Sequence, residues 1–134
     1  MNVFIDTSAW VAVEIGKDQN HIRAKNILKD LINNKYFLIM TDYIYDETIT
    51  ELVVSSGNEY AIKFGEKILK SSIVEMVIID KEDIKEALDF KKKYNDKDFS
   101  FTDCTSFVIM KRLGITKAFS FDKHFEQAGF EVLK

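Results

Sequence analysis

Short β-rich apolar runs alternate along this chain with longer segments whose apolar positions recur at helical spacing. That alternation predicts an α/β sheet rather than a helical bundle. Val3 to Ile5 read as a first buried strand, closed by Asp6, and a short helix follows with Trp10, Val11, Val13 and Ile15, ending near Gly16. Asp18 is placed to cap a second helix carrying Ile22, Ala24, Ile27, Leu28, Leu31 and Ile32. Tyr36 to Met40 form a second strand, and Thr41-Asp42 open a helix with Ile44, Thr48, Leu52 and Val53 on one side. Ser56-Gly57-Asn58 breaks the chain before a helix from Glu59 to Leu69. A third strand spans Ile73 to Ile79, and Lys81 to Tyr94 are helical, with Ile84, Ala87, Leu88 and Lys91 in period. Thr102 is a suitable cap for a helix running to Gly114, and Lys117 to Phe121 and Phe130 to Leu133 supply two last strands.

Composition narrows the class. One domain over residues 1–134, 46% apolar, is long enough to bury its own core. The absence of proline, repeats and low-complexity segments marks no domain boundary. A net charge of −3 supplies no global field drawing the chain to nucleic acid or membrane. Metal ions or local Lys/Arg clusters would have to supply it. Cys104 is the only cysteine, which excludes an internal disulfide and fits a reducing cytoplasm. No apolar run reaches the roughly 18–20 residues of a membrane span, and the start MNVFIDTS is unlike a signal peptide.

Four acids stand where strand-like runs hand over to turns or helices: Asp6, Glu47, Asp103 and Asp122. Carboxylates brought together repel unless cations or protons neutralise them, and a hard divalent ion is the simplest neutraliser. In an open parallel sheet, ligands bind beyond the carboxyl ends of the strands, at the topological switch point. One or two Mg²⁺ or Mn²⁺ ions there would polarise a phosphodiester and activate water. Singly, each acid also has a structural reading: Asp6 as an Asx turn or cap, Glu47 as a solvated helix charge, Asp103 as a dipole partner, Asp122 as an N-cap. Spacing alone does not decide between the readings.

The runs VFIDTSAWVAV and FSFTDCTSFVIMKRLGITKAFSFDKHFEQAGF resemble the PIN-domain ribonucleases, most closely the toxins of VapBC toxin–antitoxin pairs. The resemblance runs from Asp6 to Phe130, and its most specific parts are Ser100-Phe101-Thr102-Asp103 and Phe121-Asp122-Lys123-His124-Phe125. It implies a three-layer α/β/α domain whose five-stranded parallel sheet has the order 3-2-1-4-5. It also implies a metal-dependent endoribonuclease, homodimeric, with RNA as substrate and an antitoxin as partner. Asp6, Glu47, Asp103 and Asp122 fall on the family's metal-binding catalytic quartet, and Ser8 and Thr102 where hydroxyls support the site. Asp46 would project about 100° from Glu47 on a helix. The resemblance selects Glu47; spacing does not.

The remaining residues read more plainly. Asp98 is a candidate outer acid near Asp103, and Cys104 reads as a small buried residue. His21 and His124 lack zinc-site spacing; packing or solvation is the expected role of His124, and contact with RNA the lesser one. The run Lys91-Lys92-Lys93 reads as a solvated helix end, whereas Lys111, Arg112, Lys117 and Lys123 are the candidates for phosphate contacts. Three other functions fit parts of the pattern. One is a free-standing RNA-processing nuclease. Another is a non-catalytic module whose acidic pole meets a basic partner segment. A phosphatase using Asp6 as nucleophile would want a second acid where Ser8 stands.

Overall fold

The computed structural model describes every residue from Met1 to Lys134. Its order is β1 (Asn2–Ile5), α1 (Thr7–Glu14), α2 (His21–Asn33), β2 (Phe37–Thr41), α3 (Asp42–Ser56), α4 (Asn58–Lys70), β3 (Val74–Val77), α5 (Lys81–Lys93), α6 (Phe101–Leu113), β4 (Lys117–Phe119), α7 (Lys123–Gln127) and β5 (Glu131–Leu133). All five strands are parallel, in the order β3-β2-β1-β4-β5, and helices flank the sheet to make three layers. Parallel strands need crossover connections, and the intervening amphipathic segments supply them. The chain winds outward from β1 in one direction and from β4 in the other. The switch point therefore lies between the carboxyl ends of these two strands.

The centre of the sheet is buried on both faces, which is why its strands read as unbroken apolar runs. Val3, Phe4, Ile5, Ala118 and Phe119 have no exposure. Phe107 on α6 meets Phe125 on α7 edge to face at 5.0 Å, and Phe99 meets Phe107 the same way at 5.1 Å. This aromatic stack seats the amino end of α6 beside the end of β4. The amphipathic stripes are narrower than the spacing suggested. Ile22 and Val54 are 76% and 84% exposed, and Val53 is exposed beside the buried Leu52. Neighbours on a helix differ by about 100°, so Leu52 and Val53 cannot share one buried face.

Two capping boxes set helix starts. Asp80 accepts from the Asp83 N–H while Asp83 accepts from the Asp80 N–H, and Asp83 also pairs with Arg112, joining α5 to α6. Asp83→Ala removes a cap and an ion pair whose arginine is half exposed. It is expected to cost about 1–2 kcal/mol in denaturant unfolding and to leave the cleft's chemistry intact. The cap of α6 is Ser100 rather than Thr102, which lies inside the first turn. Asp18 accepts from the Asn20 N–H as a turn before α2, whose cap position is Asn20.

Candidate active site

An open cleft of about 440 Å³ sits at the switch point, and Asp6, Glu47, Asp103 and Asp122 all line it. Asp6 follows β1 directly. Its N–H donates to the Phe119 carbonyl at 3.0 Å, tying the ends of β1 and β4 together. Although it occupies the cap position of α1, its side chain caps nothing. Instead one oxygen, Oδ2, accepts from Ser8 Oγ at 2.8 Å and Ser120 Oγ at 2.9 Å. The direction of those bonds is set by the backbone. The Phe121 N–H donates to Ser8 Oγ and the Asp122 N–H to Ser120 Oγ, so both hydroxyl protons remain for Asp6. Its Oδ1 stays uncommitted.

Asp103 and Asp122 repeat this division of labour. Asp103 is the third residue of α6, and its Oδ2 accepts from the Ser100 N–H at 3.0 Å and lies 2.8 Å from His124 Nδ1. Asp122 caps α7 by accepting from the His124 N–H through Oδ1 at 2.9 Å. His124 Nδ1 stands 3.2 Å from that same oxygen. Each acid thus spends one oxygen on the fold and keeps the other. Ligand atoms of Asp103, Asp122 and His124 all lie within 4.8 Å of one another.

The electrostatics of the cleft are one-sided. Burial pushes the Asp6 carboxyl up to about 6, and the charges of Asp103 and Asp122 add to the rise; the serine hydroxyls oppose it. Glu51, one turn beyond Glu47 on α3, is also raised by burial and by the Glu47 charge. No lysine or arginine lines the cleft. Crowded carboxylate oxygens with no lysine or arginine among them, one of them desolvated, are the donor set of a hard divalent cation.

A PIN domain model matches residues 3–131. The chain belongs to the PIN domain family. Over 130 residues it is 32% identical to the 23S rRNA-specific endonuclease VapC20 of Mycobacterium tuberculosis, covering 96% of this chain and 95% of that one. It is 32% identical over 127 residues to a VapC ribonuclease of Archaeoglobus fulgidus, covering 93% of this chain and 80% of the relative. The crystal structure of VapC20, described as a sarcin–ricin loop cleaving toxin, superposes with a TM-score of 0.85 at 29% identity. That match covers 96% of this chain and 95% of VapC20.

Several supporting residues of this PIN domain differ from the sequence expectation. Ser8 supports Asp6, but the second hydroxyl there is Ser120; Thr102 lines an adjoining cleft with Asp46, Glu47 and Glu51. Asp98 is exposed and does not line the site. His124 is neither solvated nor packed idly, for it bridges Asp103 and Asp122. Glu51 is not among the expected acids, although its four-residue spacing from Glu47 places both on one helix face. Cys104 is fully buried, and burial pushes its thiol up, as suits a packing residue. Lys91 is half-buried and donates to the Phe99 carbonyl at 2.7 Å, so it is not a solvated charge. No helix is long and apolar enough to cross a membrane.

Proposed function

We propose that the chain, acting as one PIN domain over residues 1–134, is a metal-dependent endoribonuclease and the toxin of a toxin–antitoxin pair. The observation that carries the reading is the convergence of Asp6, Glu47, Asp103 and Asp122 on one open cleft, with an oxygen of each aspartate left free of internal bonds. Relatives named as VapC ribonucleases across nearly their whole length support it. The four acids would hold Mg²⁺ or Mn²⁺, with Glu51 as an additional carboxylate at the wall. The bound ion supplies charge neutralisation and Lewis acidity toward the scissile phosphodiester.

The chain's own part is orientation. The Ser8 and Ser120 hydroxyls fix the plane of Asp6, the Ser100 N–H and His124 fix Asp103, and the start of α7 fixes Asp122. Such supporting bonds are typically worth 10–100-fold in metal affinity or activity. Water attacking phosphorus opposite the 3′ oxygen would leave 3′-hydroxyl and 5′-phosphate ends. Attack by the neighbouring ribose 2′ oxygen would leave a cyclic phosphate instead. End-group analysis of cleaved ribosomal RNA is expected to find 5′-phosphates, and cyclic-phosphate ends would count against hydrolysis at this site.

Structured ribosomal RNA is the substrate class to which the VapC20 likeness points. The partner would be a small antitoxin presenting an arginine to the acidic cleft, where a charge-assisted pair with Asp or Glu is favoured. The active form would be a homodimer. A neighbouring reading frame for a small DNA-binding protein would favour the toxin role over a free-standing processing nuclease.

A further inference from the structure

Six carboxylates line the cleft, those of Asp6, Asp18, Glu47, Glu51, Asp103 and Asp122, and no lysine or arginine does. A polyanion approaching such a lining needs positive charge from its rim. Of the four basic residues near the acidic motifs in sequence, three are engaged elsewhere, and the exposed Lys123 has no contact that holds it in place. Arg112 pairs with Asp83, Lys117 reaches Tyr36 and Glu131, and Lys111 lies over the Phe90 ring.

Arg23, on the first turn of α2, is different. Its guanidinium lies 5.9 Å from the centroid of the Phe121 ring, and its Nη2 donates to Asn20 Oδ1 at 2.9 Å. Phe121 and Asn20 both line the cleft, so the two contacts hold an exposed cation at its edge. We propose that Arg23, laid on the Phe121 ring and tied to Asn20, binds an RNA phosphate beside the one being cleaved. Neither contact neutralises the guanidinium, and its planar fork matches phosphate oxygens. Holding it in place beforehand lowers the ordering cost of binding. Phe121 is then a positioning residue, and Arg23 is the contact.

This inference rests on the ribonuclease reading, so the test measures binding apart from cleavage. Asp103→Asn protein is titrated against a fluorescent RNA hairpin carrying the sarcin–ricin loop, in Mg²⁺, from 50 to 200 mM KCl. Adding Arg23→Ala is expected to weaken binding about 5–10-fold and to flatten the log Kd against log[salt] slope by about 1. Arg23→Lys keeps the slope with a smaller loss, and Phe121→Leu costs about 2–3-fold with the slope unchanged. An unchanged slope in Arg23→Ala overturns the proposal, as does an equal fall in a Lys111→Ala control. Failure of the parent Asp103→Asn protein to bind the hairpin at any salt overturns the ribonuclease reading and this inference together.

Discussion

Asp6→Asn is expected to abolish RNA cleavage while making the metal-free protein more stable. The two effects share one cause. Asp6 is buried at the junction of β1 and β4, and burial together with the Asp103 and Asp122 charges raises its carboxyl from 3.8 to about 6. A raised folded-state value means that the native state prefers the protonated form. The penalty is absent below 3.8, grows as pH rises, and is complete above about 6. A rise of that size corresponds to on the order of 3 kcal/mol at neutral pH. Both serine hydroxyls donate to the same oxygen, so an asparagine carbonyl placed there keeps both bonds. The stability difference between Asp6→Asn and wild type, followed by urea unfolding in EDTA, should therefore widen from pH 4 to pH 7. Added Mg²⁺ or Mn²⁺ should reverse the order, stabilising wild type by about 2.7 kcal/mol at a hundredfold excess over Kd and the variant far less. A difference that stays flat across this pH range would contradict the burial argument.

Asp103→Asn is expected to lower cleavage by on the order of 10²–10³-fold, equivalent to about 3–4 kcal/mol of lost transition-state stabilisation. Stability should hardly change. The reason is again that both internal bonds, from the Ser100 N–H and His124, go to Oδ2. An asparagine carbonyl in that place keeps the capping box and gives up only the charge facing the cleft. Asp103→Ala removes the box as well and is expected to cost about 1 kcal/mol more in unfolding. Equal stability of the two variants would mean that the box contributes little. Equal cleavage by Asp103→Asn and wild type would remove Asp103 from the chemistry.

The sheet was legible because central parallel strands are buried on both sides and leave continuous apolar runs such as Val3 to Ile5. The resemblance supplied the order of the strands, which periodicity does not carry. Asp6, Asp103 and Asp122 could be found because each stands within a turn of an element boundary, where side chains collect at one pole of the sheet; Glu47, the sixth residue of α3, rests on the resemblance. What lay hidden depends on through-space neighbours. Ser120 matters only because β4 adjoins β1, which puts its hydroxyl 2.9 Å from a carboxylate 114 positions away. His124 looked idle because nothing in its own segment shows that α6 and α7 meet at their amino ends. Arg23 is hidden in the sequence for the same reason. Its partner ring, Phe121, lies on the far side of β4 in sequence, whereas Lys111 and Arg112 stood near the motif and faced elsewhere. Thr102 fits the cap pattern by residue type, but the reciprocal bonds between Ser100 and Asp103 make Ser100 the cap.

In the proposed function, the converging carboxylates hold a divalent ion with which this PIN domain cuts RNA. The most direct test is single-turnover cleavage of ribosomal RNA by wild type and Asp103→Asn, each in Mg²⁺ or Mn²⁺ and each in EDTA. Discrete cuts are expected only for wild type with metal. Cleavage by wild type in EDTA, or undiminished cleavage by Asp103→Asn in metal, would contradict this reading.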